Sequence, residues 1–147
     1  EKKKFWITRI HLENDAWKLT HTSWWTEVDL NRAGCPLMEI VTEPDFRSLE
    51  DVKSFLQNIQ KTLRAIWTSD ADMEKWQMRA DVNISLRPFW QKEMWIRTEL
   101  KNMNSFSAIE KALTYEYKRQ AKALDKWDTL AQETRGWDDA KWISVSQ

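Results

Sequence analysis

The chain has 147 residues, enough for a single domain, and its 23 basic and 23 acidic side chains cancel to zero net charge. That balance argues against a module dedicated to coating nucleic acid, while a local basic patch stays open. A single cysteine, Cys35, excludes an intrachain disulfide framework and fits a reducing cytoplasm; no apolar run reaches membrane-spanning length and no signal peptide is visible.

Residues 4–14 alternate, with Ile10 and Leu12 on one face and Arg9, His11 and Glu13 on the other, the period of a strand. Residues 17–30 read as a hairpin whose turn holds Trp24 and Trp25 where a two-residue connection wants Gly, Asn or Asp. Residues 37–43 form a further strand, closed by Pro44. "SLEDVKSFLQNIQKTLRAI" sets Val52, Phe55, Leu56, Ile59, Leu63 and Ile66 at helical spacing, with Ser48 and Asp51 as a capping box. The clearest strand is "QMRADVNISLRP", which places Met78, Ala80, Val82, Ile84 and Leu86 opposite Arg79, Asp81, Asn83, Ser85 and Arg87. A turn near 89–92 leads to the alternating "IRTELKN", and a second helix runs from about Ser105 to Asp125. The closing "ISVSQ" is strand-like. The order β-β-β-α-β-β-α predicts an α+β domain, a largely antiparallel sheet with flanking helices. With no initial Met and strand-like residues at both ends, the chain reads as an internal fragment of a longer protein.

Three strands would thus offer a charged face: Arg9, His11 and Glu13; Arg79, Asp81, Asn83 and Arg87; Arg97, Glu99 and Lys101. Carboxylates suit hard divalent cations, and Arg or Lys suits phosphoryl groups, so such a face could serve phosphoryl transfer. On pattern alone the first reading is a solvated face with cross-strand ion pairs, because any half-exposed antiparallel sheet shows charged alternation. No glycine-rich phosphate loop and no Cys/His metal cluster is present in the sequence. Cys35, between Gly34 and Pro36, reads as a turn residue, because no activating partner is evident. Tyr115 and Tyr117 suit packing or a partner surface better than chemistry, and "TEPD" reads as a strand end and turn.

"RIHLENDAWK", "DLNRAGCPLMEIVTEPDFRS", "MRADVNISLRP", "ELKNMNSF", "YEYKRQ" and "QETRGWD" occur in this order. Together they resemble the GatB family, the B subunits of the aspartyl/glutamyl-tRNA(Asn/Gln) amidotransferases, over essentially the whole chain. The resemblance implies the middle of that family's N-terminal catalytic (cradle) domain, of glutamine synthetase/guanido kinase-like fold, with the C-terminal helical and tail domains outside the sequence. It also implies the chemistry: ATP and Mg²⁺ phosphorylate the side-chain carboxylate of Glu-tRNA(Gln) or Asp-tRNA(Asn), and ammonia from the A subunit displaces the phosphate. Both are braced by the C subunit, giving a cytoplasmic heterotrimer that acts on misacylated tRNA. Carried over by motif, His11, Glu13 and Lys101 are the catalytic candidates, and Glu13 and Glu133 the metal candidates, with Arg135 near Glu133. Arg79, Asp81, Asn83, Glu99, Asn102 and Asn104 would shape the ATP and aminoacyl pocket. Asp15 also matches; Asn14 departs from an acidic residue usual in the family, and Ala80 replaces a residue often cysteine there. The competing reading is a non-catalytic RNA-binding or scaffold fragment that keeps the fold. Unchanged activity of Glu13→Ala in the assembled enzyme would remove Glu13 from the site.

The chain holds 11 Trp and 2 Gly, whereas average usage of about 7% would give roughly 10 glycines. Against the family pattern Trp6, Trp17, Trp67, Trp76, Trp90, Trp95, Trp127 and Trp142 fall where glycine is usual, and Trp24 and Trp25 where it fits well. Trp137 matches a position that can be aromatic. Trp67 and Trp127 each follow a predicted helix, where glycine takes the left-handed conformation. The expectation is a gene whose UGA codons mean glycine; the rival is a Trp-rich surface that stacks bases or sugars.

Overall fold

A computed structural model describes residues 3–147. They fall into two compact units, one running to Arg47 and the other spanning Ser48–Gln147.

In the first unit, β1 (Ile7–Asn14) leads to a hairpin of β2 (Lys18–His21) and β3 (Thr26–Asp29), and then to β4 (Pro36–Thr42). β1 pairs antiparallel with β4, from Ile7↔Thr42 to Asn14↔Pro36 with a register shift between Ile7 and Arg9. β2 pairs with β3 as a separate two-stranded sheet. The hairpin connection is four residues long, not the tight two-residue turn expected from the sequence. The Thr22 hydroxyl organises it, donating to the Trp25 carbonyl at 2.8 Å and accepting from the Trp24 and Trp25 amides. A hydroxyl that holds the turn in this way removes the need for positive φ at its centre, and neither Trp24 nor Trp25 has one. Gly34, at φ +79°, does turn the chain into β4, its amide donating to the Asp15 carbonyl at 2.9 Å.

The second unit starts with α1 (Leu49–Ala65), capped by Ser48 Oγ accepting from the Asp51 amide at 3.2 Å. β5 (Val82–Ile84), β6 (Thr98–Lys101), α2 (Phe106–Asp125), β7 (Glu133–Asp138) and β8 (Ile143–Ser146) follow. Ser105 caps α2 by accepting from the Ala108 amide at 3.0 Å. The four strands lie in the order β5-β6-β7-β8, antiparallel except for the parallel β6–β7 pair. Parallel neighbours cannot be joined by a tight turn; α2 makes the crossover. Its buried face, Ala108, Ile109, Ala112 and Leu113, packs with Leu100, Met103, Met73 and Trp137, flanked by Val52 and Leu56 of α1. The α+β class holds.

Three local expectations change. The ladder at "QMRADVNISLRP" is three residues long, Val82–Ile84 opposite Thr98–Leu100. "ETRGWD" is a strand, β7, which makes the final strand a hairpin arm with a partner. The three charged strands do not form one sheet: β1 pairs with β4, while Asn83 and Glu99 pair in the β5–β6 ladder of the other sheet.

Seven described residues have positive φ: Gly34, Asn102, Ala71 and four tryptophans, Trp67, Trp76, Trp127 and Trp142, at 58–59°. Of the tryptophans, Trp137 alone is in the buried core. Among the described residues no helix is long and apolar enough to cross a membrane.

Candidate active site

In the first unit, the period of β1 sends Arg9, His11 and Glu13 to one side. His11 Nε2 lies 3.8 Å from Glu13 Oε1, and Arg9 Nη2 is 3.2 Å from Glu39 Oε2 of β4, which sits opposite His11 in the register. All of these side chains are solvent-accessible. Two sequence motifs meet here as well. Arg32 of "DLNRAG" binds the Asp15 carboxylate of "HLEND" at 3.0 Å, and the Asp15 amide donates to the Cys35 carbonyl at 2.8 Å. Asp15 is therefore a structural anchor for the turn that enters β4. Cys35 is a free, exposed thiol.

In the second unit, register decides which side chains share a face. Asn83 pairs with Glu99, and Glu99 with Thr134, so these three project to the same side; Lys101, two residues on, joins them. Thr98 and Leu100 point the other way, fully buried beneath α2. On the open side Lys101 Nζ lies 3.6 Å from Glu99 Oε2 and 3.7 Å from Asp81 Oδ2, bridging the two carboxylates. Thr134 Oγ1 donates to Glu99 Oε2 at 2.8 Å and fixes its orientation. A cleft of about 260 Å³ opens beside them, lined by Asn83, Arg97, Glu99, Gln132, Glu133 and Thr134.

The end of β6 carries backbone strain. Asn102 has φ +65°, which asparagine tolerates better than most residues. Its side chain crosses Gly136 of β7: a Cβ on Gly136 would stand 2.9 Å from Asn102 Nδ2 and 2.6 Å from Gln147 Nε2. Asn104 is exposed just before the α2 cap, and Arg79 is exposed just before β5.

Glu133 has a different setting from Glu99. It pairs with Thr98 and so lies on the helix-covered side, reaching the cleft from its rim. Its carboxylate is held by Arg135 Nη1 at 2.8 Å and Arg119 Nη2 at 3.3 Å. Desolvation alone would raise its pKa; hydrogen bonds from Ser146 and Arg135, with the charges of Arg135 and Arg119, outweigh it and hold the group below the usual glutamate range. Behind it sits Glu116, buried without solvent exposure, taking Arg119 in a two-pronged pair at 2.7 and 2.9 Å and Gln120 Nε2 at 2.9 Å. Arg135 is locked in turn by Ser144, donating to its hydroxyl at 2.8 Å and its carbonyl at 2.5 Å. The Arg119 guanidinium is raised in pKa first by its hydrogen bond to Glu116, against desolvation, with the charges of Glu116 and Glu133 adding to the rise.

The structure thus gathers Asp81, Asn83, Glu99 and Lys101 on one face, Asn102 at its end and Glu133 at its rim. Arg97, already part of the charged face read from the sequence, lines the same cleft with Gln132 and Thr134, and Gly136 lies against Asn102; Gln132, Thr134 and Gly136 were not singled out as site residues by sequence. Their signal was the strand at "QETRGWD", which places Thr134 beside Glu99. Among the described residues no three His, Cys, Asp or Glu groups are gathered as a metal cage. Mg²⁺ chemistry does not require one, since it uses one or two carboxylates together with substrate phosphates and waters. The Asp81 and Glu99 carboxylates beside Lys101 fit that requirement; the Glu133 carboxylate is committed to two arginines here. A larger open depression, about 630 Å³, runs along the β2–β3 hairpin past Lys18, Glu27 and Asp29, but contains none of the candidate residues.

A family model described as the GatB/GatE catalytic domain matches residues 1–147. The chain belongs to this family. It is 50% identical over 145 residues to the B subunit of an aspartyl/glutamyl-tRNA(Asn/Gln) amidotransferase from Clostridium botulinum (strain 657 / Type Ba4), covering 99% of this chain and 30% of the relative. It is 49% identical over 144 residues to the protein of the same name from Clostridium kluyveri (strain ATCC 8527), covering 98% of this chain and again 30% of the relative. The chain therefore spans about 30% of the length of these curated relatives.

Proposed function

We propose that this GatB/GatE catalytic-domain segment belongs to the B subunit of a glutamine-dependent tRNA amidotransferase, a ligase that converts Glu-tRNA(Gln) or Asp-tRNA(Asn) to the amide. In this reading it works in the cytoplasm with the A and C subunits of the heterotrimer, the first of which supplies ammonia. ATP with Mg²⁺ supplies the phosphoryl group that activates the side-chain carboxylate. The observation that carries the reading is Lys101 bridging Asp81 and Glu99 on an open sheet face beside a polar cleft.

The chain's own groups divide the work by charge. Lys101 and Arg97 attract phosphate oxygens; Asp81 and Glu99 are the carboxylates able to share a cation with those phosphates. Asn83 and Asn102 supply amide donors and acceptors that orient an aminoacyl group. Thr134 keeps Glu99 in place, which matters because phosphoryl transfer relies on positioning and charge stabilisation rather than on covalent help from the protein. His11 and Glu13 of the first unit are the further catalytic pair, Glu13 being the metal candidate there, and Glu133 the rim carboxylate. Arg79 and Asn104 flank the pocket-forming strands.

The test is tRNA-dependent ATP hydrolysis by the full-length heterotrimer with Glu-tRNA(Gln) or Asp-tRNA(Asn). Glu99→Gln and Glu13→Ala each lower the turnover by about 10²–10³-fold, the scale of losing one electrostatic group at a reacting centre. Wild-type turnover in both variants would favour the scaffold reading instead.

A further inference from the structure

Four backbone positions in this chain have the geometry of glycine and carry tryptophan. Trp67 and Trp127 are the first residues past the caps of α1 and α2. The Trp67 amide donates to the Arg64 carbonyl at 3.1 Å, and the next amide, Thr68, reaches back to Leu63 at 3.1 Å. The second helix ends identically, Trp127 to Leu124 at 3.1 Å and Asp128 to Ala123 at 3.0 Å. This paired closure passes through one residue at positive φ, where glycine predominates because it has no Cβ to crowd the following carbonyl. Trp76 repeats the pattern in a short turn, Trp76 to Met73 at 3.1 Å and Gln77 to Asp72 at 2.9 Å. Trp142 also turns the chain at φ 58°, its amide bound to the Asp138 carbonyl at 2.8 Å.

The indoles gain little for that strain. Trp67 and Trp127 are 94% and 85% exposed, and Trp142 meets the Lys111 ammonium at the surface, 4.2 Å from the ring centre. The other non-glycine residues at positive φ have an account: Asn102 is of the tolerated type, and small, buried Ala71 is held by hydrogen bonds with Gln60 and Ser69. Trp137 is the contrast. It is 6% exposed, donates Nε1 to Asp139 Oδ1 at 3.1 Å and meets Tyr115 edge-on at 6.1 Å.

We infer that the natural protein carries glycine at Trp67, Trp76, Trp127 and Trp142, and with them at the remaining tryptophans other than Trp137, the UGA codons of its gene being read as glycine. One codon reassignment accounts for two anomalies together, the surplus of one residue and the deficit of the other. At Trp67, Trp76, Trp127 and Trp142 it also argues against a base-stacking surface, since the fold uses those four positions for chain reversal.

Two measurements decide it. The gene should hold UGA at the ten positions and UGG at Trp137; UGG at any of the four left-handed positions overturns the inference. In the full-length chain made with tryptophan, Trp67→Gly and Trp127→Gly should each raise the folded-to-unfolded ratio by about 5- to 30-fold. Trp67→Ala and Trp127→Ala should give much less, because alanine keeps the offending Cβ. Equal gains from glycine and alanine would show that removing an exposed indole is what matters, and would overturn the backbone argument. Where the tryptophan-bearing chain does not refold, mass analysis of peptides from the natural host decides, glycine supporting the inference and tryptophan refuting it.

Discussion

Glu116 and Arg119 form a two-pronged ion pair one helical turn apart, Nη2 to Oε1 at 2.7 Å and Nε to Oε2 at 2.9 Å, with Glu116 sealed from solvent. Arg119 then reaches Glu133 at 3.3 Å, and Arg135 binds Glu133 at 2.8 Å while its Nε lies 3.9 Å from Glu116. Two carboxylates and two guanidiniums so alternate between α2 and β7. A buried carboxylate that loses its partners, or partners that lose their carboxylate, leave uncompensated charge in a poorly solvated place.

Glu116→Ala should therefore destabilise the full-length protein by about 3–5 kcal/mol, the scale of breaking a buried ion pair on one side only. Urea unfolding of variant and wild type measures it. The paired change Glu116→Leu with Arg119→Leu should cost distinctly less than the single change, because it removes both charges and keeps apolar volume.

The lowered pKa of Glu133 sets a pH dependence. Its folded value lies below its unfolded value, so its stabilising contribution is complete above the ordinary glutamate pKa and is lost as pH falls through the depressed one. Stability measured from neutral pH down into the acid range should fall on the acid side in the wild type. Glu133→Gln should flatten part of that acid limb while lowering stability at neutral pH.

Gly136 offers a test that separates the site from the scaffold. Its φ is ordinary, and the atoms a new Cβ would meet are the ends of the Asn102 and Gln147 side chains. Gly136→Ala should then change stability by less than about 1 kcal/mol, since flexible side chains can move aside. It should nonetheless lower tRNA-dependent ATP turnover in the assembled enzyme, because Asn102 must leave its place at the end of β6. A large drop in melting temperature would show that Gly136 serves packing instead.

Much of this fold was legible where period and chemistry agreed. The α1 cap at Ser48, the apolar stripe from Val52 to Leu63 and the face shared by Asn83, Glu99 and Lys101 follow from helical and strand spacing. What local pattern could not supply is pairing. Nothing in "ITRIHLEN" says that β1 pairs with "PLMEIVT" rather than with "VNI". The β7 strand was hidden because Glu133 and Arg135 look solvent-facing, although their side is the buried one, made tolerable by Glu116 and Arg119. Glu116 lies within "YEYKRQ", where nothing in the local pattern marks a buried carboxylate; its zero exposure identifies it as the centre of the network. Trp24 and Trp25 misled in the other direction, since a threonine hydroxyl governs their turn.

In the proposed reaction the Asp81–Lys101–Glu99 face handles the phosphoryl group. Transfer of label from γ-labelled ATP to the aminoacyl carboxylate, measured in the full-length heterotrimer without an ammonia source, tests it most directly. Lys101→Ala should cut the transfer by about 10²–10³-fold while misacylated tRNA still binds; transfer at the wild-type rate would contradict the account.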